Sequence, residues 1–175
     1  DLVVVTGSQA NVRAGYSSGT PALGVGAGNV VSIVDETADI ADAAAKIAAS
    51  KTFDNATSCS SENAVIAVDA VYDKLLAALA AEGGYCLDAA QTAHLEGIHW
   101  HNGKLTSKLL AKDIDVVLAE TGFAGTAPDN TSFLVAPQSE FGPDHPMTGE
   151  KMSRFLALHR ACLLYTSPSP RDSGQ

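Results

Sequence analysis

An α/β fold, with a largely parallel sheet flanked by helices, is the class this sequence predicts, and three observations predict it. Short apolar runs such as Leu2–Val5, Val30–Val34 and Ala64–Val68 have the length and composition of strands buried on both faces. Between them lie stretches with apolar residues at helical spacing, of which Ile40, Ala43, Ala44, Ile47 and Ala48 are the clearest. The two kinds of segment alternate along the chain, as in βαβ units.

The elements follow in order. Leu2–Val5 reads as a buried parallel strand, and Thr6-Gly7-Ser8 turns from it into a short helix over Gln9–Tyr16. A turn at Ser17–Pro21 leads to a short strand, Ala22–Val25, that enters a glycine-rich bend. After the strand Val30–Val34, Thr37 is the expected N-cap of a helix from Ala38 to Ser50, with Asp39 favourable in its first turn. The strand Ala64–Val68 precedes a helix over Val71–Glu82, which Gly83-Gly84 ends. Leu87–Gly97 reads as another helix, and His99–Leu105 turns at Asn102-Gly103. Leu109 to Leu118 suggests a helix and a strand. Gly122–Asn130 is a loop, Phe133–Ala136 a strand, and Glu150–His159 is expected to run into a helix.

With 175 residues the chain can build one domain with a real core, and 46% hydrophobic residues at a mean hydropathy of +0.08 argue for an ordered globular protein. No apolar run reaches the length of a membrane span, and residue 1 opens no signal peptide. Asp1-Leu2-Val3-Val4-Val5 enters a strand without a lead-in, so the chain is expected to begin inside a domain. A net charge of −9 argues against nucleic acid as a partner, because binding phosphate backbones needs clustered Lys and Arg. Three cysteines, Cys59, Cys86 and Cys162, are an odd number without metal-ligand spacing, which fits a reduced, cytoplasmic protein.

The residue with the most chemistry is Cys59. A lone cysteine is usually a small buried hydrophobe. Here Thr57, Ser58, Ser60 and Ser61 surround it, at a junction between helix-like and strand-like segments, and those neighbours do not look like core. A loop at such a junction can expose a thiol in a cleft or at a helix N-terminus, where backbone N–H groups favour the thiolate. Thr6-Gly7-Ser8, between a strand and a helix, suits a nucleotide phosphate, although so short a string is most often a plain turn. Gly24-x-Gly26-x-Gly28 is not the Gly-x-Gly-x-x-Gly fingerprint. His99 and His101 flank Trp100 without a third ligand nearby, so no metal is expected and a structural or solvated role is preferred.

Four motifs in order resemble the aldehyde dehydrogenase superfamily. They are Val5-Thr6-Gly7-Ser8 with Val12 to Gly19; Thr20 to Asn29 through the glycine run; the Cys59 loop, Phe53 to Asn63; and Gly142-Pro143-Asp144-His145-Pro146 leading into Gly149-Glu150-Lys151-Met152-Ser153. The likeness covers about Leu2 to Ala161 and is greatest to the coenzyme A-acylating branch, which includes acetaldehyde and sulfoacetaldehyde dehydrogenases. The stretches Gly83 to Ala90 and Phe133 to Glu150 look most like the sulfoacetaldehyde enzymes.

The resemblance implies an aldehyde dehydrogenase-like catalytic domain over residues 25–161, with residues 1–24 the edge of a Rossmann-type cofactor domain. It implies that Cys59 attacks an aldehyde and carries the acyl group as a thioester, with its own N–H donating to the oxyanion. Thr6, Gly7, Ser8, Gly26 and Glu150 would line the site of NAD or NADP, and Glu150 would accept hydrogen bonds from ribose hydroxyls. His145 lies near the same region. In hydrolytic relatives a Glu that activates water stands about where Gly24 is; the stretch Leu23 to Asn29 has no carboxylate, which implies CoA as the acyl acceptor. A hydrolytic aldehyde dehydrogenase, or an inactive fragment, is the alternative. Full-length relatives imply a homo-oligomer. Where the family usually has Pro, this chain has Arg154. From Cys162 the Ser/Pro-rich tail, residues 162–175, resembles a translated sequencing-adaptor read and is expected to be non-native or disordered.

Overall fold

The computed structural model describes residues 1–26 and 28–162. The expected disorder of the tail concerns residues that, apart from Cys162, lie outside them. The class is as the sequence predicts: a parallel sheet covered by helices on both faces.

The first unit is β1 (Val3–Thr6), α1 (Gln9–Tyr16) and β2 (Ala22–Val25), with β1 and β2 paired in parallel as a two-stranded sheet. Its strands are less buried than expected. Val3 and Val5 turn toward Gly15 of α1, whereas Val4 on the opposite face is 68% exposed.

The second unit is a five-stranded sheet. Its strands are β3 (Val31–Val34), β4 (Ala64–Val68), β5 (Gly84–Cys86), β8 (Phe133–Gln138) and β9 (Phe155–Ala161), in the order β3-β4-β9-β8-β5, and every pair is parallel. Helices α2 (Ile40–Thr52) and α3 (Asp69–Ala81) pack on one face. There Ala44, Ile47, Leu75 and Leu79 meet Val65, Phe133, Leu156 and Leu158. On the other face α4 (Ala89–His99) and α5 (Ile114–Thr121) bring Leu95 and Val117 against Leu134, Ala136 and Phe155. Alternate residues of β8 and β9 thus serve opposite cores, as period-two side chains in a sheet covered on both faces must. A small hairpin, β6 (Trp100–His101) and β7 (Lys104–Leu105), turns at Asn102 and Gly103, both at positive φ.

Several local expectations change. Asp39 rather than Thr37 caps α2: its side chain accepts from the N–H of Asp42, while Thr37 bonds to Asp35 in the preceding turn. Capping of α4 falls to Asp88, in a reciprocal box with Gln91. The stretch 109–118 supplies a helix and no strand. The expected helix over 150–159 is instead an irregular segment followed by β9. Phe155-Leu156-Ala157-Leu158 is a buried apolar run between β4 and β8, and tertiary pairing overrides the helical lead-in suggested by Glu150-Lys151-Met152.

Candidate active site

The site is assembled at the edge of the sheet where strands begin. In a parallel sheet all lead-in segments emerge at one edge, and β3, β4 and β9 are neighbours. The segments that precede them hold the glycine run, the Cys59 loop and Glu150. Motifs about ninety residues apart in sequence are therefore neighbours in space.

Three ties fix them to one another. Asn29 Nδ2 donates to the carbonyl of Thr148 at 2.9 Å. Asn63, which is buried, accepts the N–H of Lys151 on Oδ1 at 2.9 Å. The backbone of Asn63 also donates to the carbonyl of Val30 at 2.9 Å and accepts from the N–H of Ala157 at 3.1 Å. Gly28 lies against the Cys59 loop, where a Cβ would come within 4.0 Å of the Cys59 carbonyl oxygen.

Cys59 is exposed, at the second position of a turn closed by the Ser61 N–H on the Ser58 carbonyl at 3.0 Å. It stands between a 3-10 turn, Phe53–Ala56, and β4, so of the two settings expected for it a helix N-terminus is excluded. The hydroxyls of Ser58 and Ser60 bond to each other at 2.8 Å. Among the described residues the Cys59 N–H donates to nothing, which leaves it available to an oxygen on a carbon bonded to Sγ. The approach to the turn is strained. Asp54, Asn55 and Ala56 have φ of 46°, 52° and 58°, a left-handed run that L-residues avoid. Thr57 Oγ1 donates to Asp54, Arg154 Nε donates to Asn55 Oδ1 at 2.6 Å, and Asn55 Nδ2 donates to Asp113. Arg154 thus braces the strained run from the position where a Pro was expected.

Glu150 is half-buried, and burial pushes its carboxyl pKa up. It has no hydrogen-bond partner among the described residues. A half-desolvated carboxylate without a protein donor fits the role of acceptor for sugar hydroxyls, so the residues present suit a nucleotide at this position.

Thr6 ends β1, and Gly7 and Ser8 form the turn into α1. Gly7 has φ +114°, and Ser8 caps α1 by accepting from the Asn11 N–H at 3.3 Å. Their contacts, like that of Gly26 with Gln9, are within the first unit rather than with Cys59. Gly24 is held by Tyr16, whose hydroxyl accepts its N–H at 3.0 Å. A Cβ on Gly24 would come within 2.7 Å of the Val12 side chain and 2.9 Å of the Tyr16 ring, so a larger residue fits there only if those side chains shift.

The histidines divide. His99 is wholly buried at the end of α4, and its Nε2 donates to the Lys151 carbonyl at 2.7 Å. Burial holds its pKa at about 4, so it is a neutral structural group. His101 is exposed on the hairpin, and no group of three metal-ligating side chains occurs among the described residues. His145 lies 3.5 Å from Glu140.

Two buried lysines were not anticipated. Lys51, at the end of α2, and Lys151 are both 0% exposed. The signal for Lys51 was present: it continues the buried stripe Ala44, Ile47, Ala48 at helical spacing.

No family model matches the chain. Over 161 residues it is 50% identical to the acylating sulfoacetaldehyde dehydrogenase of Cupriavidus necator, covering 92% of this chain and 33% of that protein. The acetylating aldehyde dehydrogenase of Geobacillus thermoglucosidasius superposes with a TM-score of 0.87 at 36% identity, over 93% of this chain and 35% of that one. A propionaldehyde dehydrogenase of Rhodopseudomonas palustris, solved with bound CoA and an acylated cysteine, gives 0.80 at 29% identity, over 91% of this chain and 36% of that one. The chain spans about a third of the length of these relatives. The chain's homologues are acylating aldehyde dehydrogenases.

Proposed function

We propose that the chain carries the thiol site of an NAD(P)-dependent, CoA-acylating aldehyde dehydrogenase. The observation that carries this is the exposed Cys59 turn, tied through Asn63 to the segment of the unpartnered Glu150, in a chain with no carboxylate at Gly24. On this reading residues 25–161 are the catalytic domain and residues 1–24 the edge of the cofactor domain. The separate two-stranded sheet of the first unit supports two units, with β2 running one residue past that boundary, to Val25.

When bound, the nicotinamide accepts a hydride and the CoA thiol accepts an acyl group. Cys59 does the covalent work. Its Sγ, as thiolate, bonds to the aldehyde carbon and gives a thiohemiacetal. Its N–H donates to the oxygen that gains charge. Loss of hydride from the same carbon leaves a thioester on Sγ. Attack by an external thiol breaks the C–S bond and returns Cys59 as thiolate. Glu150 orients the nucleotide by accepting from its ribose hydroxyls. Thr6, Gly7, Ser8 and Gly26 line the nucleotide site from the first unit. Gly24 offers no base, and a larger residue would fit there only if the Val12 and Tyr16 side chains shifted, so water is not activated there. Sulfoacetaldehyde is the substrate we assign, on the likeness to the Cupriavidus necator protein.

The test is the CoA requirement of the full-length protein. Without CoA, NAD(P)H should appear in a single burst and stop; with CoA, turnover should continue and acyl-CoA should be detected by mass spectrometry. Steady release of free carboxylate at equal rates with and without CoA would place the protein in the hydrolytic branch.

A further inference from the structure

Two wholly buried amines sit behind the site, and among the described residues neither faces a carboxylate at bonding distance. Lys51 Nζ donates to the carbonyl of Glu62 at 2.9 Å, three residues after Cys59. Lys151 Nζ donates to the carbonyls of Met147 at 2.6 Å and Gly149 at 2.9 Å, the latter just before Glu150. The three carbonyls belong to lead-in segments outside the sheet, so no ladder satisfies them. A buried carbonyl requires a donor, and an amine carries three. An apolar side chain of similar volume would fill either position without the cost of desolvating an amine. The use of lysine is explained by the carbonyls it gathers.

We propose that Lys51 and Lys151 are positioning residues that divide the site between them: Lys51 sets the Cys59 turn and Lys151 sets the Glu150 segment. This rests on Cys59 as nucleophile and Glu150 as nucleotide ligand. Lys51 anchors the exit of the turn to the end of α2. Lys151 closes the turn from Met147 to Gly149 with its side chain, while its N–H joins Asn63. Loss of either amine frees one segment and leaves the other tied.

The division predicts separable losses in the full-length protein. Lys51→Met should slow the NAD(P)H burst about tenfold or more, since a small displacement of a reacting group is costly. It should leave the dissociation constant for NAD(P)H, read by fluorescence, within about twofold of wild type. Lys151→Met should weaken NAD(P)H binding about fivefold, the worth of one or two hydrogen bonds, and leave the burst rate at saturating nucleotide within about twofold. Equal losses of both quantities in both variants, or no loss in either, would overturn the proposal. Hydrogen exchange of the wild-type protein decides the matter if the variants do not fold. The Lys151 N–H should exchange with the slow amides of β9, and exchange as fast as that of an exposed loop would also overturn it. Cys59→Ala keeps this test apart from the functional assignment: turnover surviving that substitution would refute the nucleophile, whatever the lysine variants do.

Discussion

Lys51 makes stability rise with pH above neutrality. Burial holds its amine at a pKa of about 7, against 10.5 for the free side chain, with the nearby Glu62 offsetting part of the effect. Between those values the unfolded chain carries a proton that the native chain lacks. Stability should therefore rise as pH climbs from about 7, and be lost as pH falls back through it. Near pH 8 the slope from this one group is about 1.2 kcal/mol per pH unit, and from pH 7 to 8.5 the gain is about 1.5 kcal/mol. Lys151, held well below its ordinary value by burial and by Lys51, adds a slope of the same sign. Above about pH 9 the half-buried Cys86 thiol and the buried Tyr72 side chain oppose it, because desolvation raises both and the unfolded chain ionises first. The assay is urea denaturation of this chain and of Lys51→Met at several pH values between about 7 and 8.5. Met also deprives the Glu62 carbonyl of its donor, so the absolute stabilities are not the comparison; the difference in slope is. Wild type should gain about 1.5 kcal/mol more than the variant over this range. Parallel curves would refute an amine that sheds its proton on folding.

Acid should act through the buried histidines. Burial, with Lys151 nearby, holds His159 at about 4 against 6.5 unfolded, so stability is full above 6.5 and lost as pH falls toward 4; His159→Leu should remove about 3 kcal/mol of that loss, and an unchanged acid midpoint would count against it. Gly24→Ala should destabilise the chain by about 1–3 kcal/mol in urea melts, since its Cβ overlaps Val12 and Tyr16, and a neutral result would mean that those side chains shift freely. Iodoacetamide should reach the exposed Cys59 and Cys162 before the half-buried Cys86, whose thiol burial pushes up, with aldehyde protecting Cys59 alone. Cys59→Ala should abolish NAD(P)H formation while Cys86→Ala and Cys162→Ala retain it; activity lost with Cys86 instead would reassign the nucleophile.

The strands were legible where a buried apolar run is bounded by loops, as in Ala64–Val68, because burial on both faces leaves an unbroken hydrophobic signature. They were illegible where that signature is short or its lead-in misleads. Gly84–Cys86 is only three residues, and Glu150-Lys151-Met152 reads as a helix start before the central strand β9. The exposure of Cys59 was legible from its polar neighbours. The buried lysines were less so: Lys51 continues the buried stripe of α2, but Lys151, in an irregular segment without periodicity, looks like a solvated charge until the fold buries it.

The placement of the site explains why such residues are needed. Many open α/β sheets bind ligands beyond the carboxyl ends of their strands. Here the Cys59, Glu150 and glycine segments lie before the strands they enter, where no ladder hydrogen bond has yet formed. Those of their backbone groups that no local turn or neighbouring backbone bonds must be satisfied by side chains or left to water. Asn29, Asn63, Lys51 and Lys151 supply those bonds, and each reaches from one lead-in or helix end to a carbonyl or N–H of a segment beside the site. On the proposed function, the same lack of ladder bonds leaves the Cys59 amide free to donate where charge develops. A regular strand or helix at this point would have consumed that N–H in its own hydrogen bonding. The irregular segments therefore supply the donor, and the buried amides and amines keep it in place.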